Sequence, residues 1–296
     1  MIPSGNRTAT SNPNGGPGPR PWRKCTAASG NKQYHVEIAP GDLGEYVIVA
    51  GDPGRISKIA AHFESPQEVT ANRGFVAYSG TLNGVRVGAV AHGIGGPSMA
   101  IVAEELARSG VHTIIRAGTC GGLQDDVKPG DLVIATAAVR HEGLSQAYVP
   151  LEIPLLASSQ VVEALSAACS ERDPKITFHL GLVESKDSFY GEVHPDSMPL
   201  RDRLLLRWNV MREVGVLATE MECAALFAVA LVRRLRAGAV LKVLSAVGAH
   251  PGSPEEAHQL PRNMPLDDLI EAAVGALARL IEQVPGKETV ARRRRR

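Results

Sequence analysis

No stretch of this chain approaches the ~20 consecutive apolar residues that a membrane span needs, and its first residues lack the apolar core of a secretion signal. The expectation is a soluble, cytoplasmic protein. Cysteine is scarce. Cys25, Cys120, Cys169 and Cys223 lie far apart with no Cys-x-x-Cys pair, a pattern that suits a reducing compartment and gives neither a disulfide framework nor a structural zinc site. An excess of one charge is missing too: a formal net charge of +1 exerts no long-range pull on nucleic acid. The lone basic run Arg292 to Arg296 reads as a solvated tail. Internal repeats are absent. A dinucleotide fingerprint is missing as well, because Gly93-Ile-Gly-Gly-Pro-Ser98 has Ser98 in place of the last glycine. The strand that follows ends in Arg116 rather than in an acid, so a nicotinamide cofactor is not expected.

What remains is ordinary globular composition, 44% hydrophobic and 21% charged, enough to bury a full core. Residues 1–33 are rich in Pro, Gly, Asn and Ser without apolar periodicity and are expected to be a disordered arm. Residues 34–284 form one domain, and 285–296 a basic tail. Within the domain, strands are expected at Tyr46 to Ala50, Phe75 to Thr81, Val85 to Ala91, His112 to Arg116, Asp131 to Ala137, Ile176 to Val183 and Val240 to Val247. Asn83-Gly84 is a strong hairpin turn. Helices are expected from Pro53, with Asp52 as cap, after Ser98 to about Arg108, over Gln160 to Ser170, from a Thr219 cap to Arg234, and over Asp267 to Val284. Residues 192–200 look like loop. The alternation predicts a single α/β domain with a mixed central β-sheet flanked by helices.

Chemistry concentrates in two stretches. In Ile114-Ile-Arg-Ala-Gly-Thr-Cys-Gly-Gly122, Arg116 is expected at the strand's carboxyl end, with Thr119 and a glycine-rich turn beside it. A guanidinium, a hydroxyl and free backbone N–H groups together hold phosphate or carboxylate. Gly51-Asp-Pro-Gly-Arg55 offers a second such arrangement at a helix start. Two anion sites from separate stretches suggest one shared anion. Thr219-Glu-Met-Glu222 also fits a capping box, in which Glu222 would fold back on the helix start.

Val49-Ala-Gly-Asp-Pro-Gly-Arg55, Gly93-Ile-Gly-Gly-Pro-Ser98, Arg116-Ala-Gly-Thr-Cys-Gly-Gly122, Asp187-Ser-Phe-Tyr-Gly191 and Ala218-Thr-Glu-Met-Glu-Cys223 occur in that order. Together they resemble the uridine phosphorylase branch of the nucleoside phosphorylase family, over roughly residues 34 to 284. The resemblance implies phosphorolysis of a nucleoside to free base and ribose 1-phosphate, with inorganic phosphate as co-substrate and no metal or organic cofactor. It assigns Gly51, Arg55, Arg116 and Thr119 to phosphate, with Arg73 reaching in from a neighbouring subunit. Glu220, Met221 and Glu222 would meet ribose, with His35 arriving from the neighbour, and Phe189 would stack near ribose and base. Arg116, Thr119 and Glu222 carry the catalytic roles, in a homodimer or a larger assembly of dimers.

Two departures bear on the base. Glu192-Val-His194 stands where a Gln with a nearby Arg or His would match uracil, so either the carboxylate is protonated or paired with Lys186 or His194, or the base is bound differently. Ser245-Ala246 lacks the acid with which purine-cleaving relatives protonate N7. A pyrimidine nucleoside, uridine first, is therefore expected. The alternatives are a purine nucleoside phosphorylase, a nucleosidase and a non-catalytic nucleoside-binding homologue. Gly74 stands where some relatives carry a glutamate for a monovalent cation, so no such ion is expected.

Overall fold

Tyr46–Ala50 (β1) is buried along its whole length, as a strand covered on both sides by helices must be. In the computed structural model, which describes residues 32–172, 174–246 and 264–283, β1 lies inside a ten-stranded mixed sheet. The arm through residue 31, Cys25, residues 247–263 and the basic tail lie outside the described residues, as does the side chain of Ala246.

The strands that follow are Glu64–Asn72 (β2), Phe75–Leu82 (β3), Val85–Ala91 (β4), Thr113–Gly122 (β5), Leu132–His141 (β6), Leu155–Leu156 (β7), Phe178–Lys186 (β8), Ala218–Glu220 (β9) and Arg236–Ala246 (β10). One flank of the sheet is the antiparallel run β4-β3-β2, attached in parallel to β1 through β4. β1 pairs in parallel with β5. From β5 the pairing closes on itself: β5 meets β9 and β10, β9 meets β8, β8 meets β6, and β6 returns to β10.

Seven helices complete the described chain: Pro53–Ala60 (α1), Gly96–Arg108 (α2), Ser159–Ser170 (α3), Phe189–Val193 (α4), Arg201–Glu213 (α5), Cys223–Arg233 (α6) and Asp267–Glu282 (α7). They sort to two faces. Residues of α2 and α6 share one buried apolar cluster with one side of the sheet, and those of α1, α3 and α7 share another with the other side. α1 begins as its sequence dictates, with the Asp52 carboxylate accepting from Gly54 N at 2.8 Å and Pro53 in the first turn,.

Several expectations need correction. Arg116 is not at the end of its strand, because β5 runs six residues further to Gly122. The glycines there serve close packing rather than a turn. A Cβ on Gly118 would sit 2.7 Å from Arg116 Cζ and from Leu241 Cδ2, and one on Gly122 would sit 2.8 Å from Val127 O. Thr219 is no helix cap either: it belongs to β9, and α6 starts at Cys223. β6 and β8 extend past their expected ends to His141 and Lys186. β2 and α5 were not expected, and the stretch 192–200 holds the end of α4 and a 3₁₀ turn, Pro195–Ser197.

Candidate active site

β9 runs antiparallel to the far end of β5, with Thr219 level with Gly121. The chain leaving β9 is thus carried back along β5, and Glu220 and Glu222 arrive beside Arg116. The Arg116 side chain, only 4% exposed, donates from Nε and Nη2 to Glu220 Oε2 at 3.3 and 3.1 Å and from Nη2 to Glu222 Oε2 at 2.5 Å. Its Nη1 donates to His92 Nε2 at 3.0 Å. Four of the five guanidinium N–H groups are thereby taken, and one is left for a ligand. The two carboxylates outweigh burial and hold Arg116 firmly cationic.

His92 is fully buried at the end of β4, and its Ser98-capped carbonyl and backbone N–H fix it there. Arginine cannot accept a hydrogen bond, so His92 Nε2 must be unprotonated. Burial first, then the charges of Arg116 and Arg55, keep its pKa well below the usual imidazole value. Its Nδ1 has no partner among the described residues.

Arg55 contrasts with Arg116. It too is buried, at 8% exposure, yet among the described residues its one protein bond runs from Nη1 to Ala117 O at 2.8 Å, and Nε is buried without a partner. Burial and the nearby Arg116 charge both lower its pKa, with Asp52 opposing. A desolvated cation without a bonded carboxylate is a site that favours an anion.

Arg55, Arg116, Gly51, Gly93, Thr119, Met221 and Glu222 line one cavity of about 440 Å³. A Cβ on Gly51 would lie 2.9 Å from Gly93 O, so only glycine lets the β1 and β4 ends close around it. Glu222 accepts from Gly95 N at 2.7 Å as well as from Arg116 and makes no side-chain cap bond to α6, which rules out the capping box. Burial raises its pKa, opposed by Arg116. Glu220 does not line the cavity. Its oxygens accept from Ser185 Oγ, Glu222 N, Cys223 N and Arg116.

The other expected residues lie elsewhere. His35 Nδ1 bonds Glu105 Oε1 at 2.7 Å, Asn72 Nδ2 donates to His35 O, and the Arg73 guanidinium stands 5.4 Å above the ring of Tyr34, itself 74% exposed. The two residues expected to serve a neighbour thus share one surface patch outside the cavity. Phe189 and Tyr190 stand partly exposed on α4 with rings edge to face.

Glu192 is buried at 7% and paired. Its Oε2 accepts from Lys186 Nζ at 2.5 Å and from Thr219 Oγ1 at 3.3 Å, and its Oε1 lies 3.5 Å from His141 Nδ1. Burial raises its pKa, but His141 and Lys186 outweigh it and the net direction is down. His141 bonds Glu184 Oε1 at 2.7 Å. That bond first, then Glu192, raises the His141 pKa to about 9, against burial and the Arg207 charge. His194 instead stacks on Tyr190. Sequence reasoning had not singled out His92, His141 or Glu184. His92 directly precedes the Gly93-Ile-Gly-Gly-Pro-Ser98 motif, but His141 and Glu184 meet only through the register of β6 and β8.

The chain is 46% identical over 212 residues to the uridine phosphorylase of Treponema pallidum, covering 72% of this chain and 81% of the relative. It is 38% identical over 212 residues to the guanosine phosphorylase of Halorubrum lacusprofundi, covering 72% and 83%. The crystal structure of uridine phosphorylase from Vibrio fischeri ES114 superposes with a TM-score of 0.72 at 30% identity, over 86% of this chain and 99% of that one. No described helix is long and apolar enough to cross a membrane. With residues 45–284 matching the model of the phosphorylase superfamily, the chain belongs to that family.

Proposed function

We propose that the protein catalyses phosphorolysis of a pyrimidine nucleoside, uridine first, to free base and ribose 1-phosphate. The observation that carries this reading is Arg55, a buried cation with an unbonded Nε and no carboxylate bonded to it among the described residues, lining the same cavity as Thr119 and Arg116. Hydrogen phosphate supplies the missing charge. Gly51 admits it close to the backbone, Thr119 and the remaining Arg116 N–H orient it, and one oxygen stays free to attack C1′.

Glu222 lies in that cavity with its charge held by Arg116, and it accepts from the ribose hydroxyls while Met221 covers the sugar. Glu220 acts through Arg116 and the start of α6. As the bond from C1′ to the base breaks, the sugar becomes oxocarbenium-like between phosphate and Glu222, and the proton of hydrogen phosphate ends on the base. Fixed charges and fixed orientation supply the acceleration. Phosphate is the co-substrate, and no metal or organic cofactor takes part.

The Tyr34, His35 and Arg73 patch completes the pocket of a second copy, with Arg73 on phosphate and His35 on ribose, in a cytoplasmic homodimer. Phe189 stacks beside the base. The test is release of free base from a panel of uridine, guanosine and inosine with and without phosphate. Phosphate-dependent release from uridine is expected, and equal turnover without phosphate would refute the reading.

A further inference from the structure

β6 and β8 run in parallel with His141 level with Lys186, and β9 lies parallel to β8 with Thr219 level with Glu184. Paired residues share a face of a sheet and alternate residues return to it, so His141, Lys186, Glu184 and Thr219 stand on one face. Glu192 comes down on them from α4. Across β9, Thr219 is level with Gly121 of β5, and Thr119, two residues earlier, lines the cavity. One face therefore runs from the anion cavity to this cluster, and Lys186 Nζ stands 6.0 Å from the ring of Phe189.

Glu184, Glu192 and Lys186 are buried here beside a partly buried His141, a set whose desolvation is costly and which apolar side chains could replace in holding the strands. What it leaves over is donors. Two carboxylates crowd His141 Nδ1, at 2.7 and 3.5 Å, while its Nε2 has no protein partner among the described residues. Lys186 uses one of its three N–H groups on Glu192,. Glu192 is thereby neutralised, which removes the conflict between a carboxylate and an anionic leaving group. A divalent ion on His141, Glu184 and Glu192, whose ligating atoms lie within 4.8 Å of one another, would have to displace both the His141 proton and Lys186.

We propose that His141, held as an imidazolium between Glu184 and Glu192, donates from Nε2 to a carbonyl oxygen of the pyrimidine and, with Lys186 beside it, stabilises the departing base. This assignment rests on the phosphorolytic reading above. As phosphate oxygen bonds to C1′, the electron pair of the C1′–N1 bond passes into the ring and onto the carbonyl oxygen that faces His141. The donor strengthens its bond as that charge grows, which is what a catalytic contact must do.

A donor to the leaving group matters less when the base is already a better anion. In H141L, kcat/KM for uridine should fall about 100-fold, with a loss several-fold smaller for 5-fluorouridine. H141Q keeps a neutral donor and should recover part of the loss, and if H141L does not fold, the same contrast must persist in weaker form in H141Q. Equal losses on both substrates, or none, would overturn the assignment. Binding of free uracil needs neither phosphate nor turnover, and it should weaken about tenfold or more in the variant, the worth of one lost charged hydrogen bond. Unchanged affinity, or a parent that does not bind uracil, overturns the donor. A parent that binds uracil through His141 but releases no base with phosphate overturns phosphorolysis and upholds the donor.

Discussion

Two arginines that look alike in sequence sit in opposite electrostatic circumstances. Arg116 gives four of its five N–H groups to Glu220, Glu222 and His92,, and Arg55 gives one to a backbone carbonyl, with no carboxylate bonded to it among the described residues. Removing one partner of a buried ion pair costs about 3–5 kcal/mol, so Arg116→Ala should lower the melting temperature markedly. Arg55→Ala should leave it unchanged or raise it, because a desolvated charge disappears. Phosphate should raise the melting temperature of the parent, by about 2.7 kcal/mol of stability at a hundred times its Kd, and not that of Arg55→Ala. Thermal melts with and without phosphate check all three outcomes, and a phosphate shift that survives in Arg55→Ala would move the anion elsewhere. That Arg55, Arg116 and Thr119 belong to one site was legible because an apolar run leads into each of their two stretches, and the three line one cavity. The pairing of Arg116 with two carboxylates was not, since its acids lie 104 and 106 residues away and nothing in the local pattern announces them.

At the scale of elements, the sequence was readable where one pattern governs one segment. β1, its Asp52-capped helix and the Asn83-Gly84 hairpin obey alternation, capping and turn chemistry without competition. β5 misled because three glycines close together signal a turn locally, while the side chain of Arg116 lying across Gly118 requires them in a strand. Gly118→Ala should therefore cost about 1–3 kcal/mol through overpacking, visible as a lower denaturant midpoint. α5 escaped notice because Arg201-Asp-Arg-Leu-Leu-Leu-Arg-Trp208 has no apolar stripe at helical spacing, and of its residues only Trp208 is buried. The ends of β6 and β8 carry a pH dependence of their own. The folded pKa of His141, about 9, exceeds its ordinary value of 6.5. Its contribution to stability is thus complete below pH 6.5 and fades as pH rises through about 9,. Chemical denaturation across that window should show the parent losing stability and H141Q losing less.

For the whole molecule, the placement of His35 and Arg73 on a patch away from the cavity makes subunit exchange the decisive measurement. Arg73→Ala and Arg116→Ala, each inactive alone, should regain about a quarter of parental activity when refolded together, because half of random closed dimers are hybrids with one intact pocket of two. Hybrid dimers seen by mass spectrometry without activity would return Arg73 to its own chain. The closed circuit of β5, β9, β8, β6 and β10 gives those strands neighbours on both sides, and a sheet that is closed cannot grow. β2 is different. Among the described residues it carries a long unpaired edge on the other flank, and it was missed in sequence because Glu64-Ser-Pro-Gln-Glu-Val-Thr-Ala-Asn72 lacks apolar alternation. Its proline, its two acids and its two breaks in register are also the features that deny a second chain a straight ladder of free backbone groups. The residues that conceal this strand from pattern reading are thus of the kind that discourage fibril-like pairing at a sheet edge, and a β2 made regular and apolar would be expected to invite it.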